Sequence, residues 1–174
     1  MTISRPVLVA LTLTIPVLAG CQFSFSAGGP DYEKLETTMA DELNTQYESI
    51  SQRVSGVRCP RPDETPKTGD SITCVADLDG SDVRVEATFT SDDYDVDFAT
   101  IDTVYDLGDT ADGLADDISA EYGFDVSVEC GDGIKIVEVG STFECEAADR
   151  SGDTRPVVVT AGGPEENDRW EVIE

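Results

Sequence analysis

Two short stretches, "GDSITC" (Gly69–Cys74) and "GSTFEC" (Gly140–Cys145), decide how this chain is built. Each begins on glycine, ends on cysteine and places an apolar residue, Ile72 or Phe143, two positions before that cysteine. The second follows the first by 71 residues (145 − 74), and Cys130 follows Cys59 by the same 71 (130 − 59), so both cysteine pairs are 15 apart. Working outward on that offset, Ala76 aligns with Ala147, Val57 with Val128, Leu43 with Leu114 and Tyr47 with Ile118. Beyond the second cysteine the offset becomes 72, pairing Gly80 with Gly152 and Val85 with Val157. Cysteines, a glycine and core-type positions agreeing over this length indicate a tandem duplication.

Each copy opens on a helical period. Tyr32, Leu35, Met39, Leu43, Tyr47 and Ile50 step by three or four in the first, and Val104, Leu107, Ala111, Leu114, Ile118 and Tyr122 in the second. Such spacing gives one apolar stripe with the intervening acids facing water. The period then changes to two, as in a half-buried strand. Phe124, Val126, Val128 and Cys130 alternate with polar residues; Ile72, Cys74 and Ala76 do so in the next strand, with Phe143, Cys145 and Ala147 as counterparts. Val83, Val85, Ala87 and Phe89 predict a third strand, matched by "PVVVT" (Pro156–Thr160). Tyr94, Val96 and Phe98 predict a fourth, matched by Trp170 and Val172. Asp79-Gly80 and Ser151-Gly152 supply turn chemistry between strands. The expected fold class is therefore α+β: two tandem repeats, 31–102 and 103–174, each one helix packed on a four-stranded antiparallel sheet.

The pattern "VRCP", then "GDSITC", then "DLDGSDVRVEATFT" resembles the domain of unknown function 4333 family, common in actinobacterial envelope lipoproteins. The resemblance covers Asp31–Thr100 closely and Thr103–Glu174 more loosely, where Gly131 stands in place of Pro60. It implies an architecture and an envelope location, and it brings no catalytic residues. The outline is also similar to secreted beta-lactamase inhibitor proteins, a likeness of fold alone.

The amino terminus fits that location. Arg5 precedes an apolar run from Pro6 to Leu18, thirteen residues (18 − 6 + 1). A membrane-spanning helix needs roughly 17–25, whereas a secretory signal needs roughly 7–15 followed by small residues. Leu18-Ala19-Gly20-Cys21 resembles a bacterial lipobox, in which the cysteine thiol receives diacylglycerol and becomes the new terminus. Residues 1–20 are thus expected to be a lipoprotein signal peptide. Residues 21–30 would be the lipidated Cys21 and a flexible tether, whose nine residues after it reach roughly 15–18 Å. The predicted localisation is the outer face of the plasma membrane, reached through the lipid on Cys21.

Four cysteines remain once Cys21 is set aside (5 − 1). Four allow three pairings, and independent repeats select Cys59–Cys74 and Cys130–Cys145. Each bridge closes a loop worth roughly 3 kcal/mol, a staple that a domain near 70 residues often needs. A redox pair would favour Cys-x-x-Cys spacing, and a metal site would want more ligands of matching softness in a chain that has no histidine.

The chain carries 37 acids and 11 bases, a formal charge of −26. Residues 31–102 hold 18 acids and 6 bases, and residues 103–174 hold 19 and 4, so both copies are acidic. Such a surface repels nucleic acid, whose affinity comes from neutralised phosphates, and repels anionic head groups. A protein or cell-wall partner is expected to be cationic. "DLDGSD" (Asp77–Asp82) has Asp-x-Asp-Gly but lacks the spacing and distal glutamate of a calcium loop and falls where a turn is required. Asp93, Asp95 and Asp97 read as the solvated face of the strand that carries Tyr94, Val96 and Phe98, so calcium is not expected at either stretch. No nucleophile motif or phosphate loop occurs. The chain is accordingly expected to need no cofactor or metal and to be no enzyme. A binding module comes first among the functions, a hydrated spacer second and a small secreted enzyme last. Ala99–Thr103 reads as a short linker between halves that fold alone, the second less stable because of Gly108, Gly113 and Pro156.

Overall fold

A computed structural model describes residues 29–163 and 166–173. Helix α1 (Tyr32–Tyr47) starts at Asp31, whose side chain accepts the Lys34 main-chain N–H and satisfies one open donor of the first turn. It buries Leu35, Met39, Leu43 and Tyr47, and Ile50 closes the following 3₁₀ turn (Glu48–Ile50). Strands β1 (Val54–Arg58), β2 (Ser71–Leu78), β3 (Ser81–Phe89) and β4 (Val96–Thr100) then form one antiparallel sheet in that order. Asp79 and Gly80, at φ 50° and 86°, make the tight β2–β3 turn whose twist suits a hairpin. Cys74, Ala76 and Leu78 alternate inward on β2, and Val83, Val85, Ala87 and Phe89 on β3.

The second copy runs β5 (Asp102–Asp106), α2 (Leu107–Tyr122), β6 (Val126–Glu129), β7 (Ile134–Glu138), β8 (Thr142–Asp149), β9 (Thr154–Thr160) and β10 (Arg169–Val172). Its four-stranded sheet has the order β10-β9-β8-β6, the counterpart of β4-β3-β2-β1. Both copies are thus the expected helix on a four-stranded antiparallel sheet. A second antiparallel ribbon, β5 with β7, is additional. Its register sets Val104 opposite Ile136 and Thr103 opposite Val137. Val104, Ile134 and Ile136 pack on the first core, whereas Tyr105 and Val137 belong to the second. Because neighbouring strand residues point to opposite faces, one ribbon serves both cores.

Several expectations are corrected by this arrangement. Val104 lies in β5 and not in the helix, because Asp106 accepts the N–H groups of Gly108 and Asp109 and starts α2 there. The buried stripe of α2 is Leu107, Ala111, Leu114 and Ile118, and Tyr122 and Phe124 are exposed. Tyr94 sits at φ 62° in a turn, where the Ser91 hydroxyl accepts the Asp93 and Asp95 N–H groups and donates to the Asp95 carboxylate. Only Asp97 of the three aspartates is therefore on β4. The segment 99–103 is no free linker: its ends belong to β4 and β5, and a cut after residue 102 falls inside β5. Pro156 lies in a central strand, near its start. Its carbonyl accepts the Ile173 N–H, so its missing donor would have faced the end of β10 and not the β8 ladder.

Gly113 is inside α2, exposed, and a Cβ there meets nothing within 4 Å. Gly113→Ala should stabilise the chain by about 1 kcal/mol and raise the thermal midpoint by about 2–4 °C. A lowered midpoint would contradict an open helical site. At Gly108 the added Cβ would stand 3.3 Å from the Asp106 carboxylate that caps the helix, so the same gain is not expected.

Candidate functional site

The bridges are Cys59–Cys74 and Cys130–Cys145, one in each copy. The first is tied to α1. The Cys59 N–H donates to Glu36 at 2.8 Å, and Arg61 holds the same carboxylate through two bonds of 2.9 and 3.2 Å. The Arg61 hydrogen bonds, with the Cys59 N–H, outweigh burial and lower the Glu36 pKa. Arg61 also lies over the Tyr32 ring, 5.1 Å from its centroid. Asp132 stands where Arg61 would fall in the second copy, so that clasp is not repeated.

Two aspartates of the Asp77–Asp82 turn have partners within the fold. Asp77 accepts the Gly80 N–H at 3.0 Å inside the hairpin turn, and Asp82 approaches Arg58 at 3.9 Å. Among the described residues no group of three or more Cys, Asp or Glu side chains is placed to hold a metal ion.

The densest charged cluster joins the two copies. Asp102, the first residue of β5, is 4% exposed. It accepts the Arg84 main-chain N–H at 2.8 Å and the guanidinium at 3.0 and 2.5 Å. Glu138 of β7 takes the same guanidinium at 3.0 Å. Burial alone would raise the Asp102 pKa, but the bonds and charge of Arg84 more than offset it and hold the carboxyl low. Beside this cluster is a cleft of about 330 Å³, lined by Tyr47 and Ile50 of the first copy and by Asp102, Val104 and Asp168 of the second. Burial and the nearby Asp102 push Tyr47 up to about 12, so it stays neutral. Tyr105 donates to Asp168 at 2.7 Å, and the same oxygen accepts the Gly162 N–H. These groups hold the β5–β7 ribbon between the copies. The sequence carried a trace of it: Ile134, Ile136 and Glu138 alternate with Lys135 and Val137 between the cysteines. No local pattern pointed to the pairing of Arg84 with Asp102.

The geometry defines a disulfide-stapled, tandem α+β protein with a shared ribbon. The chain belongs to the family described as Domain of unknown function (DUF4333), whose model matches it twice, over residues 16–93 and 98–165. No curated protein and no solved structure matches it. Cys21 lies outside the described residues.

Proposed function

We propose that the chain is an exported, actinobacterial-type lipoprotein, held to the outer face of the plasma membrane by a diacylglycerol-bearing Cys21. In this reading it is a non-enzymatic, acidic, two-domain module that binds a cationic protein or cell-wall partner. The observation that carries it is the cysteine arithmetic. Two intra-repeat bridges consume four cysteines, and the fifth follows Leu18-Ala19-Gly20. Stable disulfides suit an oxidising compartment, and the first family match, starting at residue 16, takes in Cys21. The excess of 26 acids over bases (37 − 11) favours a cationic partner.

Wild-type protein should partition with membranes and carry a lipid-sized mass increase on the peptide that begins at Cys21. Cys21→Ser should release the protein or leave its signal uncleaved. A Cys21→Ser chain that matures normally and remains membrane-bound would refute the anchor. Crosslinking on intact cells tests the binding role, which predicts capture of a defined partner.

A further inference from the structure

The two copies differ at one end of the core. In the first, Leu78 and Val83 close that end at 2% and 0% exposure. Strand register identifies their counterparts. Val54 pairs with Leu78 as Val126 pairs with Asp149, and Ala76 pairs with Val83 as Ala147 pairs with Arg155. Two apolar positions that close the core thus become charged, and side chains that prefer water leave this end of the second core open.

The opening is a groove of about 320 Å³ walled by Ile118, Val126, Ala147 and Val172. Tyr122 and Phe124 stand at its lip, 53% and 50% exposed, with ring centroids 6.2 Å apart. Exposed aromatics gathered beside an apolar groove mark an interaction site more often than scattered single ones do. In the first copy this chain's own β5 runs along the related end, where its Val104 packs on the first core and borders, with Ile50, the cleft described above. An extended strand with an aliphatic side chain is therefore the kind of element that already packs against such an end.

Charge selects among occupants. Asp149 and Asp153 line the groove with Arg155, and Glu121 and Asp125 lie beside its aromatic lip, Asp125 paired with Arg150, so acids outnumber bases there on a chain of net charge −26. A second copy of the chain or an anionic lipid surface would be repelled. Arg155 donates to the Thr154 carbonyl through one nitrogen, leaving further donors for the carbonyls of an arriving peptide. Val172 lies on β10, an edge of its sheet, where an extended peptide finds open backbone groups. We propose that this groove docks an extended basic segment of a partner protein, seating one aromatic or aliphatic side chain against Ile118 and Val126. The proposal rests on the reading of the chain as a binding module and names its surface.

The full chain, titrated with an alternating lysine–leucine octamer, tests it by methyl NMR. Expected are shifts at Ile118, Val126 and Val172, and an affinity that is at least tenfold weaker for a lysine–serine octamer of equal charge. The Tyr122→Ser/Phe124→Ser variant, altered only at exposed rings, should bind the leucine peptide at least tenfold more weakly with its spectrum otherwise intact. Asp149→Leu, which restores the closing residue of the first copy, should also weaken binding. Equal binding of both octamers, shifts confined to another surface, or full affinity in the double variant would overturn the proposal. So would the same methyl shifts produced by zwitterionic vesicles, or by self-association of the chain alone. Peptide binding mapped elsewhere would remove the groove but leave the binding module standing, whereas cells that yield no crosslinked partner would count against the module itself.

Discussion

Replacing Cys59 and Cys74 together by alanine should cost about 3 kcal/mol from the lost constraint on the unfolded chain alone. That is a large share of the roughly 5–15 kcal/mol that holds a typical domain together. Packing adds to it, because Cys74 is fully buried and Cys59 is 5% exposed, so their sulfurs leave a void inside the first core. The matching change at Cys130 and Cys145 opens a loop of equal length, since both separations are 15. It should cost less, for two reasons. Cys130 is only half-buried, and β7 within that loop is already pinned by β5. Urea melts of the two double variants decide the order. Equal losses, or a larger loss in the second copy, would contradict this account of the first bridge.

Asp102→Ala should destabilise the chain by about 2–3 kcal/mol. It strands the Arg84 main-chain N–H and takes from the guanidinium its buried partner, and a hydrogen bond to a charged group is worth about 1.5–3 kcal/mol. The loss stays below the 3–5 kcal/mol of a fully buried pair, because the Arg84 side chain is 40% exposed and Glu138 still reaches it at 3.0 Å. The same contact has a pH signature. Asp102 has a lowered folded pKa, so its stabilisation is complete above the unfolded value of about 3.9 and is lost as pH falls through the folded value. Asp102→Asn removes that titration. The wild type should therefore lose more stability between pH 7 and pH 3 than Asp102→Asn does, as measured by urea midpoints at the two pH values. Parallel acid losses in both proteins would show that the pair does not bear on folding.

Asp102 also shows why the halves are less separable than their duplicated sequence suggests. A chain ending at Ile101 keeps α1, its sheet and the Cys59–Cys74 bridge. It loses Asp102 from Arg84 and the apolar cover of Val104, Ile134 and Ile136. Each copy has its own core, yet the first is finished by residues of the second.

What the sequence determined by itself came from repeated spacing and from local period in the middle of the elements. The bridges followed from two cysteine pairs at one offset, the inner faces of β2, β3 and β8 from period two, and the middle of each helix from Leu43 with Leu114 and Tyr47 with Ile118. These features depend on how near neighbours share a face, and that geometry is fixed by the backbone. What only the tertiary structure decided depends on partners far along the chain. Val104 continues the spacing of α2 but pairs with Ile136 across 32 residues (136 − 104), and Asp106 caps the helix before that spacing can extend. Tyr122 and Phe124 fit helical and strand periods but are exposed, because Asp149 and Arg155 from other strands leave their end of the core open. Arg84 alternates with the buried Val83 and Val85 of β3, and β5 and β7 bring Asp102 and Glu138 to it. Which strand pairs with which, and which acid meets Arg84, depends on residues far apart in the chain, so the folded structure alone reveals those partners.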